Sequence, residues 1–144
     1  MVPAVMDPSR PCACCSGASY AACCGPVHAQ EKPAATALQL MRSRYAAFAL
    51  KQTEHLWRTL HSTHPDRARR KEDVLRDLKK TCNRFGYPRL DILEVVEPNA
   101  SGEAYVTFRA TLTERGRDVG FTERSRFLQE EGAWKYVDGV TPKG

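Results

Sequence analysis

The chain has 144 residues, 42% hydrophobic and 27% charged, a balance that suits one soluble domain and excludes a wholly disordered chain or two full-sized domains. No stretch nears the roughly 20 apolar residues that cross a bilayer, and residues 1–11 lack the basic start and apolar run of a secretory signal, so a cytoplasmic protein with no membrane partner is expected. Lys and Arg number 22 against 17 Asp and Glu, a formal net charge of +5, which would suit an acidic partner such as RNA without requiring one.

Residues 1–11 hold three prolines and no periodicity and read as a disordered tail. Residues 12–28 are rich in Ala, Ser, Gly and Cys; they cannot bury an apolar core, so something other than packing must fold them. A short linker, 29–33, leads into the main domain, 29–144. Residues 34–50 place Leu38, Met41, Tyr45, Phe48 and Ala49 on one helical stripe. Residues 53–61 form a second, short helix with Leu56, Trp57 and Leu60, broken at His64-Pro65. From about Asp66 to Phe85 a third helix sets Val74, Leu75, Leu78, Cys82 and Phe85 against a basic face running from Arg67 to Lys80. Gly86 and Pro88 end it.

The remainder reads as strands. Residues 90–97 form the first, and the turn 98–102 leads to a second that alternates Ala104, Val106, Phe108, Ala110 and Leu112 with polar neighbours. The chain turns near 115–120, runs as a strand over 121–129, reverses at Glu130-Glu131-Gly132 and ends in a strand over 133–140. Helices followed by a meander predict an α+β fold with the sheet wrapped over the helices.

Five of the six cysteines, Cys12, Cys14, Cys15, Cys23 and Cys24, crowd into one segment. Adjacent cysteines cannot readily bridge internally, and a disulfide framework would spread its cysteines along the chain. The spacing Cys12-x-Cys14 and then Cys23-Cys24 instead offers two close pairs to a tetrahedral metal. Ser16-Gly17 falls where the chain must reverse, with Ser16 free to bond local backbone and Gly17 free to take positive φ. Tyr20 is placed to pack over the sulfurs. Cys15 is surplus and competes with Cys14 as a ligand, and His28 is a substitute that four cysteines make unnecessary. Zinc is expected, although a tetrahedral sulfur site also accepts iron. Four thiolates about a divalent ion would lower the formal charge from +5 to about +3.

Cys12-Ala-Cys14-Cys15-Ser16-Gly17-x-x-Tyr20-x-x-Cys23-Cys24 resembles the SEC-C motif, named for the zinc-binding tail of the SecA translocation ATPase. Leu40-Met41-Arg42-Ser43-Arg44-Tyr45-x-Ala47-Phe48, then Glu123-Arg124-Ser125-Arg126-Phe127, then Trp134-x-Tyr136-Val137-Asp138-Gly139 are similar to the bacterial YchJ-like family. The resemblance implies a SEC-C zinc unit at 12–28 joined to a nuclear-transport-factor-2-like domain, a cystatin-like cone of helices against a curved antiparallel sheet. The family usually has Gly where this chain has Cys15, and SEC-C units usually carry lysines between their cysteine pairs, where this chain has none. In SecA the related unit docks on a chaperone and on ribosomes, so the resemblance implies an adaptor with a protein partner of that kind: a chaperone, a translocation component or the ribosome.

The cone fold hosts enzymes and binding modules alike, so chemistry must come from specific residues. Alternation puts Phe121, Glu123, Ser125 and Phe127 on one face, which carries Glu123 inward. A buried carboxyl must be paired or must change its protonation, and Arg42 and Arg44 on the first helix are the expected partners. The alternative makes Glu123 an acid, base or ligand anchor in a cone pocket, with Tyr45, Tyr136 or Asp138 nearby. No catalytic residue is assigned. An enzyme or ligand binder needs a water-accessible pocket around Glu123, whereas an adaptor needs none. His61 and His64 read as loop residues and Cys82 as core. The basic helix face lacks interleaved aromatics and reads as solvated, with pairs such as Glu72–Arg76, so nucleic acid is weakly supported. The sheet's outer face, with Tyr105, Thr107 and Arg109, is open to homodimerisation.

Overall fold

In the computed structural model, which describes residues 9–142, the first long helix begins where a side chain can cap it. The Thr36 hydroxyl accepts from the backbone N–H of Gln39 at 3.0 Å, satisfying a donor the helix leaves open. A short helix, α1 (Gly25–His28), precedes this one, α2 (Ala37–Leu50); α3 (Thr53–Arg58) and α4 (Lys71–Arg84) follow. The expected start of α2 at residue 34 moves to the cap. The third predicted helix divides, because Pro65–Ala68 forms a separate 3-10 turn whose start is capped by His64. On α4, Arg76 pairs with Asp73 at 2.9 Å and not with Glu72.

The strands are β1 (Gly86–Val96), β2 (Ala104–Glu114), β3 (Arg117–Asp118), β4 (Phe121–Glu130) and β5 (Ala133–Val140). They form one antiparallel sheet in the order β1-β2-β4-β5, with β3 paired to β2. β1 starts four residues before its expected position, since Pro88 is tolerated on an edge strand where its missing N–H breaks no ladder. The far edge, β5, is covered: Tyr136 N–H donates to Thr59 O at 2.7 Å and His61 N–H to Tyr136 O at 2.8 Å.

Ala104, Val106, Phe108, Ala110 and Leu112 are all buried, as alternation predicts. They pack with Leu40, Met41, Tyr45, Leu90, Phe127 and Trp134 in the main core, each large side chain contributing about 1.5–3 kcal/mol on burial. Tyr45 also pins helix to sheet, its hydroxyl donating to Arg89 O at 2.9 Å and accepting from Arg89 N–H at 3.0 Å. α2 is buried on more than the single predicted stripe. Ser43, Arg44, Ala46 and Ala47 are buried as well, because the sheet, α3 and the cysteine unit each cover one side of it.

Residues 1–8 of the expected tail lie outside the described residues. Its last residues belong to the cysteine unit: Arg10 O accepts from Tyr20 N–H at 2.8 Å, and Pro11 bridges to Ser19. Among the described residues, no helix is long and apolar enough to cross a membrane.

Candidate functional site

Two tight turns bring the cysteine pairs together. Cys15 N–H donates to Cys12 O at 3.0 Å, and Cys23 N–H donates to Tyr20 O at 3.1 Å. Between them Gly17 takes φ +92°, and the Ser16 hydroxyl accepts from Ala18 N–H at 3.2 Å while also contacting Cys23 Sγ at 3.2 Å. The Sγ atoms of Cys12, Cys14, Cys23 and Cys24 all lie within 4.8 Å of one another. Cys14 to Cys23 is 3.5 Å and Cys23 to Cys24 is 3.8 Å, against roughly 3.8 Å between sulfurs of a tetrahedral zinc–thiolate site. The donor set therefore fits one soft divalent ion.

The sulfurs perturb one another strongly. The Cys14 thiol is pushed down by side-chain hydrogen bonds, first with Cys12 and then with Cys24. The Cys12 thiol is pushed up to about 11, chiefly by its hydrogen bond with Cys14. Cys14 and Cys24 are fully buried. Cys15, by contrast, is exposed at φ 65° with its sulfur toward Ala13 O and Pro88 O, and is not one of the four clustered sulfurs.

The unit rests directly on α2. Ala46 packs among the cysteines, and Arg42 Nη1 donates to Cys14 O at 3.1 Å. Tyr20 packs against the cluster as expected, and Gly25 admits its ring and carbonyl, since a Cβ there would sit 3.1 Å from Tyr20 Cε2 and 2.8 Å from its carbonyl oxygen. His28 is not one of the clustered donors, and both its ring nitrogens are engaged elsewhere: Nε2 with Ser43 O at 2.8 Å and Nδ1 with the Tyr20 hydroxyl at 2.7 Å. A carbonyl only accepts, so Nε2 carries the proton and Nδ1 accepts from Tyr20. Ser43 spends its hydroxyl proton on Leu40 O at 2.7 Å, so it accepts from His55 Nε2 at 2.8 Å. His55 Nδ1 then accepts from Arg58 at 3.4 Å. Every member is satisfied with both imidazoles neutral, and burial holds both below the ordinary histidine range. Sequence spacing gave no sign of this chain of bonds; a serine at the centre of an apolar helix was the one available signal.

A second site lies inside the cone. A cavity of about 460 Å³ opens between α2, α4 and the sheet, and its polar lining includes Arg44, Asp66, Thr81, Glu123, Ser125 and Tyr136. Glu123 Oε2 accepts from Ser125 Oγ at 2.6 Å and from the Tyr136 hydroxyl at 3.0 Å.

The expected ion pair of Glu123 with Arg42 or Arg44 does not form within salt-bridge distance. Residues two apart on a helix face different ways, so Arg42 reaches the cysteine unit and only Arg44 enters the cone. There Arg44 lies over the Tyr136 ring, 4.8 Å from its centroid. Its Nη1 donates to Leu56 O at 2.9 Å and Thr59 Oγ1 at 2.6 Å. Desolvation pushes Arg44 down to about 10, although Tyr136 and Glu123 favour its charge.

Asp138 is also absent from the pocket. Arg126 pairs with Asp138 and Phe127 with Tyr136, which leaves Val137 as an extra residue in β5. This bulge breaks the two-residue alternation. Tyr136 therefore faces the cavity, whereas Asp138 faces out and binds Arg126 at 3.0 and 2.8 Å. His61 contacts Thr63 at 2.9 Å and Glu130 at 3.4 Å, and His64 accepts from Asp66 N–H at 3.0 Å with its ring 5.8 Å from that of Tyr136. Cys82 is core beside Ala47 and Leu56.

Residues 36–139 match the family described as YchJ, middle NTF2-like domain. A solution structure of a SEC-C motif containing protein from Rhodopseudomonas palustris is similar over 92% of this chain and 98% of its own, with TM-score 0.78 and 29% identity. A crystal structure of a SEC-C motif containing protein from Psychrobacter arcticus shares the fold over 90% of this chain and 76% of its own, with TM-score 0.72 and 21% identity. The family match spans the cone, and the cysteine cluster that precedes it is compatible with a SEC-C unit. The chain belongs to the YchJ middle NTF2-like domain family.

Proposed function

We propose that this protein is a small-ligand-binding module whose SEC-C unit is held by one structural zinc ion. The observation that carries the reading is the cavity of about 460 Å³ around Glu123, within the size range of small-molecule sites and, like them, mostly apolar with a few convergent polar groups. An adaptor that used only its surface would not need it. The zinc part is supported by four sulfurs within 4.8 Å of one another, a full ligand set for a tetrahedral ion, which leaves no position for substrate and makes the ion a staple for a segment without a core. Docking of the zinc unit on a chaperone, a translocation component or the ribosome is the competing proposal.

The test is titration with N-phenyl-1-naphthylamine, a neutral aromatic whose fluorescence rises in apolar surroundings. One saturable site per chain is expected, lost in Ala110→Leu, which fills the cavity from the sheet side. Wild-type protein without saturable binding would sink the ligand-binding reading. Elemental analysis of protein purified without added metal should find about one zinc per chain; one iron in its place would reassign the ion.

A further inference from the structure

The cone cavity is not uniformly greasy. Phe48, Phe85, Tyr87, Phe108 and Phe121 line it, with Phe48 stacked on Tyr87 at 6.0 Å and Phe108 edge-on to Phe121 at 6.1 Å. Val119 and Phe121 are each 43% exposed, so the lining continues to the surface as an apolar entrance. An aromatic lining suits a flat ring, which gains offset or edge contacts with it.

The polar floor carries the specificity. Both donors that reach Glu123, Ser125 Oγ and the Tyr136 hydroxyl, converge on Oε2. Among the described residues Oε1 takes no hydrogen bond, and no buried side-chain oxygen is left without a partner. Oε1 is thus an accessible, unused acceptor on a residue that lines the cavity. The carboxyl is also held in place from behind, because Gly139 offers no Cβ to displace it. Arg44, on the same floor, spends two hydrogen bonds on Leu56 O and Thr59 Oγ1 and covers the Tyr136 ring. An anionic ligand would meet Glu123 and Asp66 and a cationic one would meet Arg44, so a neutral molecule avoids both conflicts.

We infer, resting on the ligand-binding reading above, that the cavity takes a neutral aromatic molecule bearing one N–H or O–H group, which donates to Glu123 Oε1 while its ring packs against the aromatic lining. Glu123 is the specificity-determining residue of the pocket, and Ser125 and Tyr136 are positioning residues that fix which oxygen faces the ligand.

Three probes of related shape separate the alternatives in the full chain: N-phenyl-1-naphthylamine with one N–H, 1-phenylnaphthalene with none, and 1-anilinonaphthalene-8-sulfonate with an added anion. In wild type the amine should bind about fivefold tighter than the hydrocarbon, the scale of one net hydrogen bond. In Glu123→Gln, Ser125 and Tyr136 hold the new amide by its carbonyl and turn its NH₂ toward the ligand. The preference then disappears while the hydrocarbon still binds, which also reports that the pocket is intact. Equal affinity for amine and hydrocarbon in wild type, or a preference that survives in Glu123→Gln, overturns the inference and leaves the pocket reading standing. Tightest binding of the sulfonate also overturns it and makes Arg44 the recognised group. Saturable binding of none of the three overturns both.

Discussion

The Glu123 carboxyl lies against the backbone of Gly139 so closely that a Cβ on Gly139 would collide with it. Ser125 and Gly139 are cross-strand partners, so the missing side chain on β5 is the space into which the Glu123 side chain folds back from β4. Gly139 is required here for close approach and not for backbone freedom. Gly139→Ala should therefore push the carboxyl aside, strand the Ser125 and Tyr136 hydroxyls, and cost about 1–3 kcal/mol. Chemical denaturation measures this, with Glu123→Ala as the second arm of a double-mutant cycle. The cost should largely vanish in the Glu123→Ala background; an undiminished cost would mean that the glycine serves something other than Glu123.

Metal removal should act on the cone as well as on the cysteine unit. Arg42 binds Cys14 O, Ala46 packs among the cysteines, and His28 links the unit to Ser43. A strong zinc chelator is therefore expected to lower the melting temperature of the whole chain, and Cys24→Ser to do the same without chelator, because ligand binding is folding free energy for a segment that cannot pack alone. If the cone melts at an unchanged temperature after the metal is removed, the two units are thermodynamically independent.

How much of this was legible in the sequence follows from the range over which each feature is decided. The cysteine cluster is local: ligand spacing and a Ser-Gly turn announce it, and the four sulfurs fall together. β2 is equally plain, since its alternation from Ala104 to Leu112 runs unbroken over a core. The pocket floor is decided elsewhere. Tyr136 and Asp138 share parity in the sequence, and only the extra residue Val137, visible in the pairing of β4 with β5, sends them to opposite faces. Arg42 and Arg44 look equivalent as text and are separated by the phase of α2 against two different neighbours. The His28–Ser43–His55 chain joins three segments that no periodicity connects.

Cys15 occupies a left-handed conformation, φ 65°, which costs a residue with a side chain about 1–2 kcal/mol relative to the right-handed region. Glycine relieves that cost but loses more entropy on folding, by roughly 0.5–1 kcal/mol. Cys15→Gly should thus raise stability by about 0.5–1 kcal/mol, and it should leave the metal content at one per chain because Cys15 is outside the sulfur cluster. Thermal melts and elemental analysis of the variant decide both points. A fall in bound metal would make Cys15 a ligand and undo the assignment of the four.

Acid should weaken the fold through His55. Its imidazole is 3% exposed, and burial first, then the nearby charges, push it from 6.5 down to about 2. Above pH 6.5 folded and unfolded chains both hold it neutral and stability is at its full value. As pH falls below that point the unfolded chain binds a proton that the folded chain refuses, so stability drops by about 1.4 kcal/mol per pH unit toward the folded value. His28, depressed by the same desolvation, adds to the loss. Denaturation in saturating zinc at pH 7.5 and pH 5.5 should therefore show a difference for wild type that His55→Asn reduces by about 1.4 kcal/mol, the one titrating unit it removes. Asn can still bond Ser43, so the variant should fold while losing the His55 share of the pH dependence. Equal losses in the two proteins would mean that His55 accepts its proton inside the folded chain, and the neutral hydrogen-bond chain from Tyr20 to Arg58 would have to be redrawn.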